Sequence, residues 1–444
     1  ARRSVRISSS PLSSRRLEMG ITCGSPHDVK PNDMGGRPIY MDHNATTPID
    51  EPVARHMEPL LRSCWGNPSS GHVYGKEASE ALAKARLQIA TLIGCTADEI
   101  IITSGGTESI NHAIRGAALA PSNSKMEMKE GIPIKEKKKH IVISMVEHVA
   151  VTKTCAYLTK HHGFDVTLLP VNEEGSVSPS ILAKAVKDNT VVISIMLANN
   201  EVGTIQPVQE LVKAAKSSNP NVIFHTDASQ AVGKITVNVD ELGVDLLTIA
   251  GHKLYAPKGI GALYIRKDLL DIVPFMCGAG HESGRRAGTE NVLLACGLGK
   301  ACELARLNMS DRFNRMAKSR DLLEILILSH FAGVESVVRV NGDVKNRLPN
   351  TLSISFRDIA SHDLLKRIQD RVACSAGSAC HSHEVTISKV LKAMNVPKEY
   401  AKGTLRLSTG IHTTKAEVVR TARIICDAVD DAMMEYYESK VKAA

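Results

Sequence analysis

The chain has 444 residues, of which 43% are hydrophobic and 23% charged, values typical of a globular protein long enough for two lobes. The formal charge of +8 is modest for this length, and much of it comes from arginines within the first seventeen residues, so no nucleic-acid partner is implied. No apolar stretch reaches the ~18 residues that a membrane span needs, and the ten scattered cysteines favour free thiols in a reducing compartment.

We expect residues 1–38 to form a leader that is disordered or transit-like. Residues 1–18 are rich in Arg and Ser and poor in acidic residues, which is typical of organelle transit peptides. The chain does not begin with Met, so a start at Met19 is an equal alternative. We therefore expect a cytoplasmic protein, with a mitochondrial or plastid location as the alternative if residues 1–18 are a real transit peptide.

Short apolar segments that alternate with helical patterns between residues 98 and 266 predict strands. Helical stretches such as residues 179–187 and 208–217 lie between them. Several strands are continuously apolar, which indicates helices on both faces and hence an α/β lobe with a mainly parallel, seven-stranded sheet. Residues 121–140 are interpreted as a solvated surface insertion. The predicted strands are EIIITSGG, KHIVISMVEH, DVTLLPV, TVVISIMLANNEVG, NVIFHTDAS, VDLLTIAGHK and GALYIR.

The C-terminal part predicts a second, smaller α/β lobe. The segments TLSISF and TLRLSTG are interpreted as strands, and residues 413–440 as an amphipathic helix with Val418, Ala422, Ile425 and Val429 at helical spacing. We expect a large domain at residues 39–300 and a small domain at residues 301–444, with the segment near residues 39–60 packing on the small one.

A lysine and an aspartate at predicted strand ends indicate a carbonyl cofactor. Lys253 ends an apolar strand in GHK, at the edge where parallel sheets bind ligands, and a deprotonated lysine there can form a Schiff base. Asp227 in FHTDASQ could keep the ring nitrogen of pyridoxal phosphate protonated, which is the pairing that this cofactor requires. The plainer alternatives are a surface lysine, a helix-capping aspartate and, for Gln230, a solvated helix residue.

Three further strand ends carry polar groups. In IIITSGGTES, Gly105 and Gly106 permit close backbone approach, and Thr107 with the N–H groups that open the next helix could hold a phosphate. His148 follows a strand in VEHVAV, and Asn200 in LANNEVG could bind a ring hydroxyl. Each residue alone has a structural alternative, but five strand ends with these residues in this order predict a pyridoxal phosphate site.

On these motifs the chain resembles the class V aminotransferase-like enzymes of pyridoxal phosphate fold type I, specifically cysteine desulfurases of the NifS/IscS type and selenocysteine lyases. The resemblance extends from about residue 39 to the C-terminal helix. It implies that Lys253 forms the internal aldimine and moves the α-proton, and that Asp227 pairs with the pyridine nitrogen. Its motifs are YMDHNATTP, WGNPSS, TSGGTES, EH at residues 147–148, NNEVG, HTDASQ, GHKLYAPKGIGALY, GAGHESGRRAGTEN, GSACHS and LRLSTG.

The same resemblance implies the remaining cofactor and substrate contacts. His148 stacks on the ring as a catalytic residue, and Arg406 clamps the substrate carboxylate, a role suited to a bidentate guanidinium. A phosphate ligand supplied by a second subunit implies a homodimer. The other implied contacts are Asn200 and Gln230 at the ring oxygen, Asn44 at the substrate, and Gly106, Thr107, His252 and the second subunit's Thr289 at the phosphate.

Four positions depart from the family pattern. Ala250 stands where bacterial desulfurases commonly have a phosphate-binding Ser, and His43 where a Tyr is usual. Val149 is neither the acidic residue nor the Lys that usually follows the EH pair, and Ile411 replaces an Arg.

The motif CSAGSACHSHEV contains the residue that matches the family's mobile-loop nucleophile, Cys380. It would accept sulfur or selenium as a persulfide or selenosulfide and release alanine. Zinc bound by Cys380, His381 and His383 is a weaker alternative because the ligands are crowded, and a redox pair with Cys374 is equally weak. We therefore expect no metal, and the roles of His381 and His383 stay open.

The sequence favours a selenocysteine lyase that also accepts cysteine. The alternative is a cysteine desulfurase that supplies sulfur for Fe–S clusters or thiolation. A non-catalytic sulfur-relay or scaffold subunit and a plain aminotransferase or decarboxylase are weaker alternatives. The expected partners are an amino-acid substrate, a second copy of the chain and a sulfur or selenium acceptor protein, with no nucleic acid and no membrane.

Overall fold

The computed structural model describes residues 36–120, 124–129, 132–137, 139–269, 272–334, 336–376 and 387–443. The described residues from 38 onward form one compact unit. Within the described ranges, no helix is both long enough and apolar enough to cross a membrane. The predicted transit-like segment at residues 1–18 lies outside the described residues, and so does Cys380 with its two neighbouring histidines.

Strands and helices alternate along most of the described chain. The strands are β1 (Ile39–Tyr40), β2 (Ile100–Thr103), β3 (Ser124–Lys129), β4 (Ile132–Lys137), β5 (His140–Ser144), β6 (Asp165–Leu169), β7 (Thr190–Ser194), β8 (Ile223–Asp227), β9 (Leu246–Ala250), β10 (Gly261–Ile265), β11 (Val338–Asn341), β12 (Thr351–Phe356), β13 (Val372–Ala373), β14 (Ser375–Ala376) and β15 (Thr404–Ser408). The helices are α1 (Glu51–Met57), α2 (Leu60–Ser63), α3 (Val73–Ile93), α4 (Gly106–Ala118), α5 (Val149–His162), α6 (Pro179–Ala185), α7 (Val208–Ser218), α8 (Val239–Leu242), α9 (Val292–Leu307), α10 (Met309–His330), α11 (Ser361–Ile368), α12 (Lys389–Ala393), α13 (Lys398–Ala401) and α14 (Lys415–Ala443).

The central sheet confirms the predicted α/β class, because its seven strands are the seven segments predicted from the sequence. Their order is β2-β10-β9-β8-β7-β5-β6. β5 pairs in parallel with β6 and β7, and β8 pairs in parallel with β7 and β9, whereas β10 is antiparallel to both its neighbours. The ten residues between β9 and β10 hold no crossover helix, which a parallel connection would need, so β10 returns as an antiparallel strand.

The sheet is buried on both faces, as its continuously apolar strands predict. Every residue of β2, β5, β7, β8, β9 and β10 is buried, while the edge strand β6 is partly exposed. One hydrophobic core unites the sheet with residues of α3, α7 and α9, and another unites it with residues of α4 and α5. Two helical layers therefore hold the ends of these strands in fixed positions.

A second sheet has four antiparallel strands in the order β11-β12-β15-β14. Its core includes residues of α10, α11 and α14, among them the predicted helical stripe Val418, Ala422, Ile425 and Val429. β1 pairs with β13, and Ile39 and Met41 lie in the same core. The domain boundary predicted between residues 300 and 301 falls within α9 and stays a prediction.

Candidate active site

Five strands of the central sheet direct their carboxyl ends toward one cavity of about 350 Å³. Because the strand ends lie side by side, residues that are far apart in the sequence meet there. The cavity brings together ten of the predicted residues: Asn44, Gly106, Thr107, His148, Asn200, Asp227, Gln230, His252, Lys253 and Arg406.

The start of α4 forms one end of the cavity. Gly105 has φ 149°, a conformation that favours glycine, and no side chain caps the helix that begins at Gly106. The backbone N–H groups of the first helical turn point out of the helix without intrahelical partners. Thr107 lies exposed in this turn, so the residues there can bind an anion as predicted from TSGGTES.

Lys253 ends a short 3₁₀ turn, Gly251–Lys253, directly after β9. Its Nζ donates hydrogen bonds to the backbone oxygens of Asn44 (2.6 Å) and Ala45 (2.7 Å). Burial, with the nearby charge of Arg406, lowers the pKa of this lysine to about 8, although Asp227 opposes the shift. A lysine with this pKa is partly uncharged near neutral pH and can act as a nucleophile or a base.

Asp227 and His148 line the cavity from neighbouring strand ends. Asp227 is the last residue of β8, and its Oδ1 accepts a hydrogen bond from the backbone N–H of Ser229 (2.9 Å). His148 caps α5, where its Nδ1 accepts from the N–H of Ala150 (3.2 Å). Burial lowers the pKa of His148, which favours a neutral ring that can pack flat against an aromatic ligand.

A buried network behind the cavity fixes Gln230 and Asn44. Lys234 is buried, and its Nζ donates to Gln230 Oε1 (2.7 Å) and Asn44 Oδ1 (3.2 Å). Burial and the charge of Lys253 lower the pKa of Lys234 well below its ordinary value. The Asn44 amide nitrogen donates to Asn200 O and Thr351 Oγ1, so internal contacts occupy both its donors and a substrate contact stays a prediction.

Arg406 on β15 is held from two sides. Its Nη2 donates to Asp42 Oδ1 (2.8 Å), and its Nη1 donates to the backbone oxygen of Asn200 (3.2 Å). Its Nε is buried and has no hydrogen-bond partner among the described residues. The guanidinium thus retains a donor for a further acceptor, as expected of a carboxylate-binding residue.

Of the other two predicted phosphate contacts, His252 lines the cavity and Thr289 does not. His252 Nδ1 lies 3.2 Å from Thr46 Oγ1, and burial together with Lys253 lowers the pKa of its ring to about 4, so the ring is neutral. Thr289 is exposed and does not line the cavity of its own chain. Ala250, which stands where related desulfurases commonly have a phosphate-binding Ser, also lines the cavity but contributes only a methyl group.

The cavity contains groups that match each part of pyridoxal phosphate. A lysine of lowered pKa suits the aldehyde, a carboxylate at a strand end suits the ring nitrogen, and unpaired helix N–H groups suit the phosphate. The guanidinium of Arg406, which lines the cavity, suits a substrate carboxylate. The residues present therefore fit this cofactor.

Among the residues that sequence reasoning did not identify at the cavity are three with polar side chains, Asp42, Ser229 and Lys234. Asp42 lies within YMDHNATTP but pairs with a residue 364 positions away, a contact that no local pattern reveals. Ser229 and Lys234 lie close to Asp227 in DASQAVGK. A signal for Lys234 was available, because it stands four residues after Gln230 and α-helical or turn geometry brings such residues together.

Comparison with known proteins places the chain in a family. The model of the family described as aminotransferase class-V matches residues 39–420. A protein named cysteine desulfurase IscS from Dictyoglomus turgidum is 46% identical over 88% of this chain and 94% of its own length. A cysteine desulfurase from Rattus norvegicus is 39% identical over 95% of this chain and 89% of its own length.

Solved structures agree with this assignment. A structure titled NifS-like protein matches with a TM-score of 0.78 and 35% identity, over 89% of this chain and 99% of its own. A NifS-like protein from Rickettsia africae matches with a TM-score of 0.74 and 29% identity, over 88% of this chain and 99% of its own. The chain belongs to the aminotransferase class-V family and is a pyridoxal phosphate-dependent enzyme of fold type I.

Proposed function

We propose that the chain is a cysteine desulfurase, which transfers the sulfur of L-cysteine to the thiol of Cys380 and releases L-alanine. The observation that carries the proposal is the convergence of Lys253, Asp227 and Arg406 on one cavity. The curated relatives named cysteine desulfurase support this interpretation over the selenocysteine lyase that the sequence favoured. A sulfur-relay subunit would have no use for a lysine of lowered pKa facing an acidic strand end.

The overall transfer balances without a further reactant. The Cβ–S bond of the substrate breaks, and a new S–S bond forms between that sulfur and the sulfur of Cys380. Two electrons pass formally from the two sulfur atoms to Cβ, which gains a proton and becomes the methyl group of alanine. The bound pyridoxal phosphate supplies an electron sink for this rearrangement.

Lys253 is the residue suited to move protons. Its Nζ is hydrogen-bonded to the backbone oxygens of Asn44 and Ala45. Because its pKa is about 8, a fraction of the lysine is uncharged at neutral pH. An uncharged Nζ can take the α-proton of the substrate and later return a proton to carbon. The Asp227 carboxylate, fixed by the N–H of Ser229, would stabilise a positive charge at the ring nitrogen of the bound cofactor.

Arg406 orients the substrate for this proton transfer. Because Asp42 and the backbone of Asn200 occupy Nη2 and Nη1, the guanidinium has little freedom to turn. A substrate carboxylate that binds the remaining donors is therefore held in a fixed direction relative to Lys253. The neutral ring of His148 provides a flat, uncharged surface beside the same position.

Measurement of alanine with each substrate tests the assignment. Purified enzyme is expected to have a higher kcat/KM with L-cysteine than a dedicated selenocysteine lyase would, and Cys380→Ala is expected to retain bound cofactor but lose sulfur transfer. Cys374→Ala is the matched control, since burial raises the pKa of Cys374 to about 12 and makes it a poor nucleophile. Alanine formed only from selenocysteine would overturn the proposal.

We also propose a homodimer in which Thr289 of each subunit completes the phosphate site of the other. Thr289 is exposed on its own chain, which is consistent with a contact in trans. The test is subunit complementation between Lys253→Ala and Thr289→Ala. A hybrid dimer contains one site with both wild-type residues, so mixed and refolded subunits are expected to regain activity. If Thr289 acted in cis, mixing would restore nothing.

The leader and the sulfur acceptor are addressed by separate experiments. One relative is a mitochondrial cysteine desulfurase from Arthroderma benhamiae, 41% identical over 87% of this chain and 73% of its own length. We propose that residues 1–38 decide the compartment. A fluorescent reporter carrying them would enter an organelle under the transit interpretation and stay diffuse under the cytoplasmic one.

Trapping of the persulfide with a labelled thiol reagent in cell extract would identify an acceptor protein.

A further inference from the structure

The side chain of Ser229 occupies a position at the cofactor cavity that the cysteine desulfurase chemistry described above does not use. Ser229 follows β8 two residues after Asp227, and it lines the cavity together with Gly106, Thr107 and Ala250. Its backbone N–H is bonded to Asp227 Oδ1. Its hydroxyl has no hydrogen-bond partner within the ranges that the structure describes, so both its donor and its acceptors are free.

The hydroxyl is aimed at the first residue of α4. A Cβ atom built on Gly106 would lie 3.2 Å from Ser229 Oγ and 3.2 Å from the Ala250 methyl. The ends of β8 and β9 therefore meet the start of the helix at the same point. Of the two side chains nearest this point, that of Ser229 carries a hydroxyl and that of Ala250 has no polar atom.

The first turn of α4 can bind an anion, because no side chain of the described residues caps it. The helix is thirteen residues long and begins with glycine, so its first N–H groups and its positive dipole end are open to the cavity. No carboxylate of the cavity is bonded to the Ser229 hydroxyl or to the N–H groups of Gly106 and Thr107 among the described residues. Glu108, the acidic residue of this turn, is turned away to Ser104 N and Arg286.

We propose that the Ser229 hydroxyl donates a hydrogen bond to the phosphate of pyridoxal phosphate, beside the N–H groups of Gly106 and Thr107, and so provides the hydroxyl that Ala250 cannot. Ser229 is a cofactor-binding residue in this proposal and takes no part in proton transfer. The inference rests on the cofactor site of the proposed function, not on the identity of the substrate.

The test compares two ligands that differ only in the phosphate. Apo-enzyme of wild type and of Ser229→Ala is titrated with pyridoxal phosphate and with pyridoxal, and binding is followed by absorbance. Loss of a hydrogen bond to a charged group is expected to weaken pyridoxal phosphate binding by about 10- to 100-fold while pyridoxal binding stays within about twofold. Ser218→Ala, an exposed helical serine, is the matched control and is expected to change neither affinity.

The remaining outcomes overturn the proposal. Unchanged affinity for pyridoxal phosphate would show that the hydroxyl does not reach the phosphate. An equal loss for both ligands would show that Ser229 acts through Asp227 or through the fold. Inorganic phosphate provides a second measurement, since it is expected to protect wild-type apo-enzyme against thermal unfolding more than Ser229→Ala. Failure of wild type to bind either aldehyde would instead contradict the cofactor site itself.

Discussion

Arg406 and Asp42 form an ion pair of 2.8 Å, although 364 residues separate them in the sequence. The pair is largely shielded from solvent, with 10% and 16% of the two side chains exposed. The other oxygen of Asp42 accepts a hydrogen bond from Ser375 Oγ (2.7 Å) at the start of β14, the strand that precedes the segment with Cys380. One carboxylate thus connects the arginine proposed to bind the substrate with the chain that leads to the proposed nucleophile, Cys380.

Asp42→Asn is expected to raise KM for L-cysteine by about 5- to 10-fold and to leave kcat within about twofold, because the amide preserves shape but not the charge that orients Arg406. Steady-state alanine production measures both constants. Asp311→Asn removes a comparable contact from an exposed Asp–Arg pair with Arg315 and should change neither. A lower KM in Asp42→Asn would mean that Asp42 competes with the substrate, contrary to this prediction.

Lys253→Ala is expected to abolish alanine production and the visible absorbance of the bound cofactor. The reason is that no other lysine among the described residues lines the cavity, and the neighbouring Lys234 is buried and bonded to Gln230. Lys258→Ala changes an exposed lysine five residues along the chain and serves as the matched control. Visible absorbance in Lys253→Ala equal to that of wild type would contradict the role of Lys253.

Much of the fold could be predicted because burial on both faces makes the seven strands continuously apolar. The antiparallel direction of β10 was not predicted, because a continuously apolar segment looks the same in a parallel and in an antiparallel strand. The direction follows only from the short connection after β9, which has no crossover helix. The helical stripe of α14 was predictable because its spacing is local. Val418, Ala422, Ile425 and Val429 all lie in the core of the four-stranded sheet.

The candidate site was predictable where chemistry follows a strand end. Asp227 ends β8, and Lys253 and His148 follow within four residues of the ends of β9 and β5. A parallel sheet brings such strand ends together. The Asp42–Arg406 pair and the free hydroxyl of Ser229 depend on how distant segments dock, so periodicity and spacing give no sign of them.

The lowered pKa of Lys253 predicts a pH dependence for cofactor binding. Below pH 8 the Nζ is mostly protonated and unreactive, and above pH 8 it is mostly neutral, because burial and Arg406 disfavour the charge. The rate at which apo-enzyme takes up pyridoxal phosphate is therefore expected to rise through about pH 8 and to level off above it. Stopped-flow absorbance between pH 6 and pH 10 measures this, and a midpoint near the ordinary lysine value would contradict it.

Glu147 predicts a second pH effect, on stability. Its Oε1 accepts from Ser144 Oγ (2.5 Å) and from the N–H of Met196 (3.0 Å), while Oε2 is buried without a partner among the described residues. Burial raises the pKa of this carboxyl to about 8, with a further contribution from Asp227. The folded protein thus holds a proton that the unfolded chain releases near pH 4.5, so stability is lost as pH rises between these two values.

Glu147→Gln separates this carboxyl from the other titrating groups. The free energy of unfolding of wild type is expected to fall by on the order of 1 to 4 kcal/mol between pH 5 and pH 8, whereas the glutamine, which cannot ionise, should remove most of that slope. Urea unfolding of the holoenzyme at several pH values measures both proteins. The difference between them should be largest at pH 8 and above, and smallest near pH 5, where the wild-type carboxyl is also neutral. Parallel curves for the two proteins would show that folding does not raise the pKa of Glu147 and would contradict this prediction.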